Sequence, residues 1–273
     1  MRPSRLALLA AFAALLAAPP TLPAQAAPVH EQARPRTVIA AIPISRMDLR
    51  WWRDRFEAKQ AILHRGPVDL VFYGDSITHD WEKHGPPASQ DFAPIWQHFY
   101  GDRHAVNLGF IGDTTANLLW RVMNGEATGI HPKVAVILIG ANNLGYLHWS
   151  AADTLDGIGK IIAQLRERLP TTKILLLGVL PSDRTAWASR TTIEINQELA
   201  ARYAHGGPGG MVTFLNVGHV LMKNGVLDRS LFLDPLETPP RPPLHPTAQG
   251  QARIAAAMEP TLARLMGDRN HLK

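Results

Sequence analysis

The sequence predicts an α/β domain built on a parallel β-sheet with helices on both faces. Three observations lead to it. Short runs rich in apolar and β-branched residues recur at Val68–Tyr73, His104–Leu108, Val134–Ile139, Ile174–Val179 and Val212–Val217. Helical patterns fill the intervals, the clearest being the stripe Leu155, Ile158, Ile161, Ile162, Leu165 and Leu169, which ends at Pro170. The runs are also close to continuously apolar, as expected of strands buried on both sides.

Taken in order, residues 1–26 read as an export signal. Arg2 and Arg5 supply a basic start, Leu6–Ala18 an apolar stretch, and Ala24-Gln25-Ala26 a small-x-small cleavage site. The apolar stretch is short for a bilayer span, and no later run is longer. Residues 27–44, rich in Ala, Pro and Arg, read as a tether. A helix is expected from Met47 to His64, where Trp51, Phe56 and Ile62 recur among charges. After the fifth strand, Pro235–Pro246 forms a rigid Pro-rich loop. A last helix over Thr247–Met266 is expected to break or kink near Pro260. There is no internal repeat, so 45–268 is expected to be one domain.

Removal of the signal leaves about 245 residues, ample for one core. The formal charge of +5 then falls to +3, so the pI of 9.7 partly reflects the leader. No dense Lys/Arg cluster with interleaved aromatics is present, which argues against a nucleic-acid partner. The chain has no cysteine, which excludes disulfides, thiolate catalysis and cysteine–metal sites. The 12 histidines show no metal-ligand spacing, so neither a metal nor a cofactor is called for. These features fit a periplasmic or secreted enzyme.

The chemistry centres on Gly74-Asp75-Ser76-Ile77-Thr78, directly after the first strand. A serine there sits at the carboxyl edge of the sheet, where open α/β folds build their sites. It is a poor nucleophile at neutral pH without a base and oxyanion donors. The chain offers candidates for both. Gly112 lies in the turn after the second strand, Asn142 in Gly140-Ala141-Asn142-Asn143 after the third, and His245 in Leu244-His245-Pro246 before the last helix. Each has a plainer reading: an N-cap serine, a turn glycine, an Asx turn and a surface histidine. Trp81 and Trp149 come after the first and third blocks and would suit a sugar or acyl platform, although core packing is the commoner role of tryptophan.

These blocks resemble the SGNH, or GDSL, hydrolase superfamily, and most closely its platelet-activating-factor-acetylhydrolase-like branch. Phe72 to His79 resembles the first block, Asn107 to Arg121 the second, Gly140 to Asn143 the third and Leu244 to Thr247 the last. The resemblance implies a flavodoxin-like three-layer α/β/α sandwich of about five parallel strands. It places the nucleophile at Ser76, the base at His245, and the oxyanion donors at the Ser76 and Gly112 N–H groups and the Asn142 side chain. It implies an esterase acting on small acyl groups, acetyl first. Export makes an ester-linked polysaccharide such as acylated cellulose the expected substrate. A lipid-directed thioesterase or lysophospholipase is the second reading, and a long apolar groove would mark it.

The sequence departs from the family at one position. The aspartate usual three residues before the histidine is Pro242 here, and proline cannot accept the imidazole N–H. Loss of the acid in a serine protease triad lowers turnover ~10⁴-fold. Three outcomes are open. Another acid of the loop, Asp234 or Glu237, replaces it, with Glu237 preferred as nearer and longer. A backbone carbonyl orients the ring and leaves a Ser–His dyad. Or the chain is a carbohydrate-binding protein without catalysis.

Overall fold

The computed structural model describes residues 37–272, and the export signal expected over 1–26 lies outside them. The helices are α1 (Arg50–Leu63), α2 (Ser76–His79), α3 (Ala93–Tyr100), α4 (Thr115–Arg121), α5 (Ala141–Gly145), α6 (Ala151–Arg168), α7 (Ala186–Arg202) and α8 (Ala248–Met266). The strands are β1 (Leu70–Gly74), β2 (Ala105–Gly109), β3 (Val134–Leu138), β4 (Lys173–Leu177) and β5 (Val212–Leu215), with a small hairpin of β6 (Met222–Lys223) and β7 (Val226–Leu227). β1 to β5 form one parallel sheet in the order β2-β1-β3-β4-β5. The order reverses beside β1, the place where open parallel sheets leave a crevice at their carboxyl edge.

Successive strand residues point to opposite faces, and each face has its own core. Val71 and Tyr73 of β1 pack with Leu118 of α4, Ile158 and Ile161 of α6, and Ile195 of α7. Leu70 and Phe72 pack with Phe99 and Tyr100 of α3 and with Ile254, Met258 and Leu262 of α8. The apolar stripe of α6 is thus the side that meets the sheet. Its start is capped by the Ser150 hydroxyl, which accepts from the Asp153 N–H.

Two expectations need correction. Residues 37–44, read as part of a tether, are fastened to the domain. Thr115 Oγ1 donates to the Ala40 carbonyl at 2.8 Å, the Ile44 N–H donates to the Ala116 carbonyl at 3.0 Å, and Asn117 Nδ2 donates to the Ile44 carbonyl at 3.0 Å. Composition suggested a linker, but polar groups of α4 are turned toward this backbone. The second concerns a break at Pro260: the helix is not interrupted there, and Pro260 lies inside α8. Pro260 is exposed, while Met258 and Leu262 stay packed on the sheet. Among the described residues no helix is long and apolar enough to cross a membrane.

Candidate active site

Ser76 opens α2 where β1 ends. Asp75, not Ser76, caps this turn, its carboxylate accepting from the Ile77 N–H at 3.0 Å. The serine hydroxyl is therefore free of the capping role, and Ser76 Oγ lies 2.9 Å from His245 Nε2. The other ring nitrogen, His245 Nδ1, is 2.8 Å from Asp234 Oδ1. Asp234 Oδ2 also accepts the backbone N–H groups of Leu244 at 2.7 Å and His245 at 2.6 Å. One carboxylate thus holds both the ring and the backbone of the histidine.

A fold-back of the Pro-rich loop brings this acid in. The Leu233 N–H donates to the His245 carbonyl at 2.7 Å and the Thr247 N–H to the Leu231 carbonyl at 2.8 Å, an antiparallel contact of two passes of the chain. It sets Asp234 against His245 across 11 residues of sequence. The preference for Glu237 is corrected here: Glu237 is exposed and its carboxylate pairs with Arg241. A ring held only by a backbone carbonyl is excluded by the same contact. Pro242 is exposed.

Gly112 and Asn142 come after β2 and β3, the two neighbours of β1 in the sheet. Gly112 has φ +75°, a left-handed conformation that glycine adopts without penalty. Asn142 is buried, and its Nδ2 donates to the Asp113 carbonyl at 2.9 Å, which leaves the second hydrogen of the amide. The loop and α4 are cross-tied: Asn143 Oδ1 accepts from the Thr115 N–H at 3.0 Å, and Asn143 Nδ2 donates to Thr115 Oγ1 at 2.8 Å.

A buried ionic cluster behind this edge was not read from the sequence. Asp113 accepts from Trp52 Nε1 at 2.8 Å, Arg121 Nε at 2.8 Å and Arg46 Nη1 at 3.0 Å. Arg121, fully buried, also donates to the carbonyls of Gly74 and Leu108 at 3.1 Å each and pairs with Glu126. It therefore ties the end of β1 to the end of β2. The signal was present in Asp113 and Arg121, two charges in a block otherwise destined for the core.

Burial sets the electrostatics. Asp75 is pushed up to about 7 by desolvation, against the pull of the Ile77 N–H and of His245. Glu126 is pushed up to about 7 for the same reason, opposed by Arg121. Asp234 is different: burial acts to raise it, but the hydrogen bonds from His245 and Leu244 together prevail and hold it below the ordinary carboxylate value. It is thus an anion at neutral pH, the form needed to hold Nδ1–H and to stabilise an imidazolium.

Ser76 and His245 open onto a cleft of about 320 Å³. Asp80, Lys83, Gln90, Ile111 and Arg241 are among its other lining residues. Trp81 is not a platform in it. Its ring is buried against Phe92, Trp96 and Tyr100. Trp149 is half-buried and does not line the cleft. Among the described residues no group of three His, Asp or Glu side chains is placed to hold a metal ion.

The sequence profile of the GDSL-like lipase/acylhydrolase family matches residues 72–253. The chain belongs to that family, within the SGNH hydrolase superfamily that the sequence blocks resemble. Its curated relatives include the platelet-activating factor acetylhydrolase IB subunit alpha2 of Homo sapiens, 37% identical over 114 residues, which are 41% of this chain and 44% of that one. The alpha2 subunit of Gallus gallus is 31% identical over 152 residues, 56% of this chain and 61% of that one. The chain thus spans about half the length of these relatives. Among solved structures, a GDSL-like lipase from Bacteroides thetaiotaomicron aligns with a TM-score of 0.56 at 19% identity, over 77% of this chain and 97% of that one. A carbohydrate esterase family 3 protein from Talaromyces cellulolyticus aligns with a TM-score of 0.55 at 14% identity, over 74% and 99%. A carbohydrate acetylesterase family member from Sinorhizobium meliloti aligns with a TM-score of 0.53 at 16% identity, over 74% and 100%. At these identities the structural likeness speaks to the fold.

Proposed function

We propose that the protein is an exported serine esterase that removes small acyl groups, acetyl first, from an ester-bearing polysaccharide. The observation that carries the reading is the continuous contact from Ser76 Oγ to His245 Nε2 and from His245 Nδ1 to Asp234. His245 takes the serine proton as Ser76 Oγ attacks the ester carbonyl, and Asp234 stabilises the imidazolium that results. Charge then develops on the carbonyl oxygen. The N–H groups of Ser76 and Gly112 and the free Asn142 amide hydrogen stabilise it, each such donor being worth up to ~3–4 kcal/mol of barrier. Collapse expels the alcohol, which accepts the proton from His245. Water then attacks the acyl-enzyme by the reverse use of the same groups.

The lining of the cleft supports a polar alcohol portion. Asp80, Lys83, Gln90 and Arg241 offer hydrogen bonds to hydroxyl groups, and Ile111, Leu233 and Leu236 add apolar surface beside them that suits an acyl group. The carbohydrate acetylesterase family member from Sinorhizobium meliloti, which shares the fold, is consistent with this choice. Export rests on the leader-like residues 1–26.

A fluorophosphonate probe followed by Ser76→Ala tests the reading. The mature protein is expected to be labelled and to hydrolyse p-nitrophenyl acetate faster than esters of ten or more carbons, and Ser76→Ala is expected to abolish both at unchanged Tm. Full activity in Ser76→Ala removes the serine mechanism. A preference for long chains replaces the polysaccharide reading by the lipid one.

A further inference from the structure

The Ile111–Gly112 peptide carries the one N–H that Gly112 can offer to an oxyanion. A peptide is planar and trans, so its carbonyl and N–H point in opposite directions, and fixing one fixes the other. Arg46 Nη1 donates to the Ile111 carbonyl at 2.9 Å and, from the same nitrogen, to Asp113 Oδ1 at 3.0 Å. Among the described residues nothing accepts a hydrogen bond from the Gly112 N–H. We propose that Arg46 is the positioning residue of the oxyanion hole, holding the Ile111–Gly112 peptide with its N–H toward the reacting carbonyl. This rests on the esterase reading of the Ser76 site.

The lock is needed because residue 112 is glycine. At φ +75° it sits in one of two backbone regions that glycine occupies about equally well. Rotation of the Ile111–Gly112 peptide would take Gly112 to the other and put a carbonyl oxygen where the oxyanion must form. A residue with a Cβ would be confined, but it would be strained at this φ and would approach the Arg46 guanidinium to 3.3 Å. The preference for one peptide orientation must therefore come from outside the loop.

Arg46 is well held for this task. The anchors at Ala40 and Ile44 bind its segment to α4, and its guanidinium stacks 5.4 Å from the centre of the Trp51 ring. The second donor depends on the same loop, since Asn142 Nδ2 is bound to the Asp113 carbonyl. Asp113 keeps Trp52 and Arg121 as partners if Arg46 is lost, so the fold does not hang on this contact. Arg46 lies outside residues 72–253, and its side chain is 24% exposed, within reach of small solutes.

Arg46→Met keeps the apolar stem and removes the donor. A hydrogen bond from a charged group biases an equilibrium by roughly ten- to a hundredfold. The kcat on p-nitrophenyl acetate should fall by about that factor, with KM and Tm close to wild type. Millimolar guanidinium, well below denaturing levels, should restore part of the kcat, and Arg46→Lys should lie between. A merely structural role predicts a loss that tracks Tm and is not restored. That result, or a rise in KM alone, overturns the proposal. Unchanged kcat in Arg46→Met beside a large loss in Asn142→Ala overturns it and leaves the esterase reading intact. Unchanged kcat in Ser76→Ala overturns both. If Arg46→Met does not fold, Arg46→Lys decides: reduced kcat at wild-type Tm supports the proposal, and wild-type kcat overturns it.

Discussion

The two walls of the Ser76 site are built on opposite plans. The oxyanion wall, formed by the loops after β2 and β3, is backed by buried, multiply bonded groups: Asp113 with three side-chain donors, Arg121 with four partners, and Asn143 spanning to Thr115. The histidine wall is a proline-rich loop with an exposed rim, where Glu237, Pro239, Pro240, Arg241 and Pro242 all face solvent. Yet its one buried acid, Asp234, makes three short contacts to Leu244 and His245. The first wall is thus specified by many contacts of moderate weight, and the second by a single residue. Where an acid need only reach an imidazole, its place in the sequence is free so long as the loop folds back.

The largest effect is expected on the second wall. Asp234→Ala removes the carboxylate on His245 Nδ1 and should lower kcat by ~10³–10⁴, whereas Glu237→Ala should stay within about threefold because Glu237 is paired with Arg241 at the surface. Steady-state kinetics on p-nitrophenyl acetate measure both. Equal losses in the two variants would make the loop, and not Asp234, the unit that matters, and the contrast between the walls would collapse.

The first wall should give a smaller, separable loss. Asn142→Ala removes one donor to the developing oxyanion and should lower kcat by ~10²–10³ with little change in KM, since the donor acts in the transition state. A rise in KM at constant kcat would assign Asn142 to substrate binding, and would place the oxyanion elsewhere.

The same contrast explains what could be read from the sequence. Ser76, Gly112 and Asn142 lie at the ends of β1, β2 and β3 because strands are continuous apolar runs, and the loops leaving parallel strands all emerge at one edge of the sheet. That logic is local, and the five strands and the helix carrying the Ile158 stripe fall where periodicity places them. Asp234 is not local. Its role depends on the contact of Leu231–Leu233 with His245–Thr247, which no spacing announces. Glu237 looked closer along the chain, but chain distance is a poor guide inside a loop that doubles back. The apolar run Leu231-Phe232-Leu233, fully or nearly buried, was the available hint that the residue after it would also be inside. Arg46 was hidden differently: it directly follows the segment that composition marks as a linker, and that segment is held by hydrogen bonds of its backbone N–H and carbonyl groups, to which any residue type could contribute.

The smallest effect, and the sharpest test of the plan of the second wall, is the return of the family acid. Pro242→Asp places a carboxylate three residues before His245. Were the ring short of a partner, this change would raise kcat strongly. Asp234 already occupies Nδ1 at 2.8 Å and is itself buried, whereas position 242 is exposed and next to the Arg241 side chain. A new aspartate there would remain solvated, and its weak interaction with the site would be screened by salt. The kcat of Pro242→Asp should therefore lie within about threefold of wild type. In the Asp234→Ala background the same change should recover little, because a rescue needs the loop to turn residue 242 inward and to bury a charge that water now solvates. Recovery to near wild-type kcat in the double variant would show that the loop is soft enough to offer either acid, and that the single-residue account of this wall is wrong.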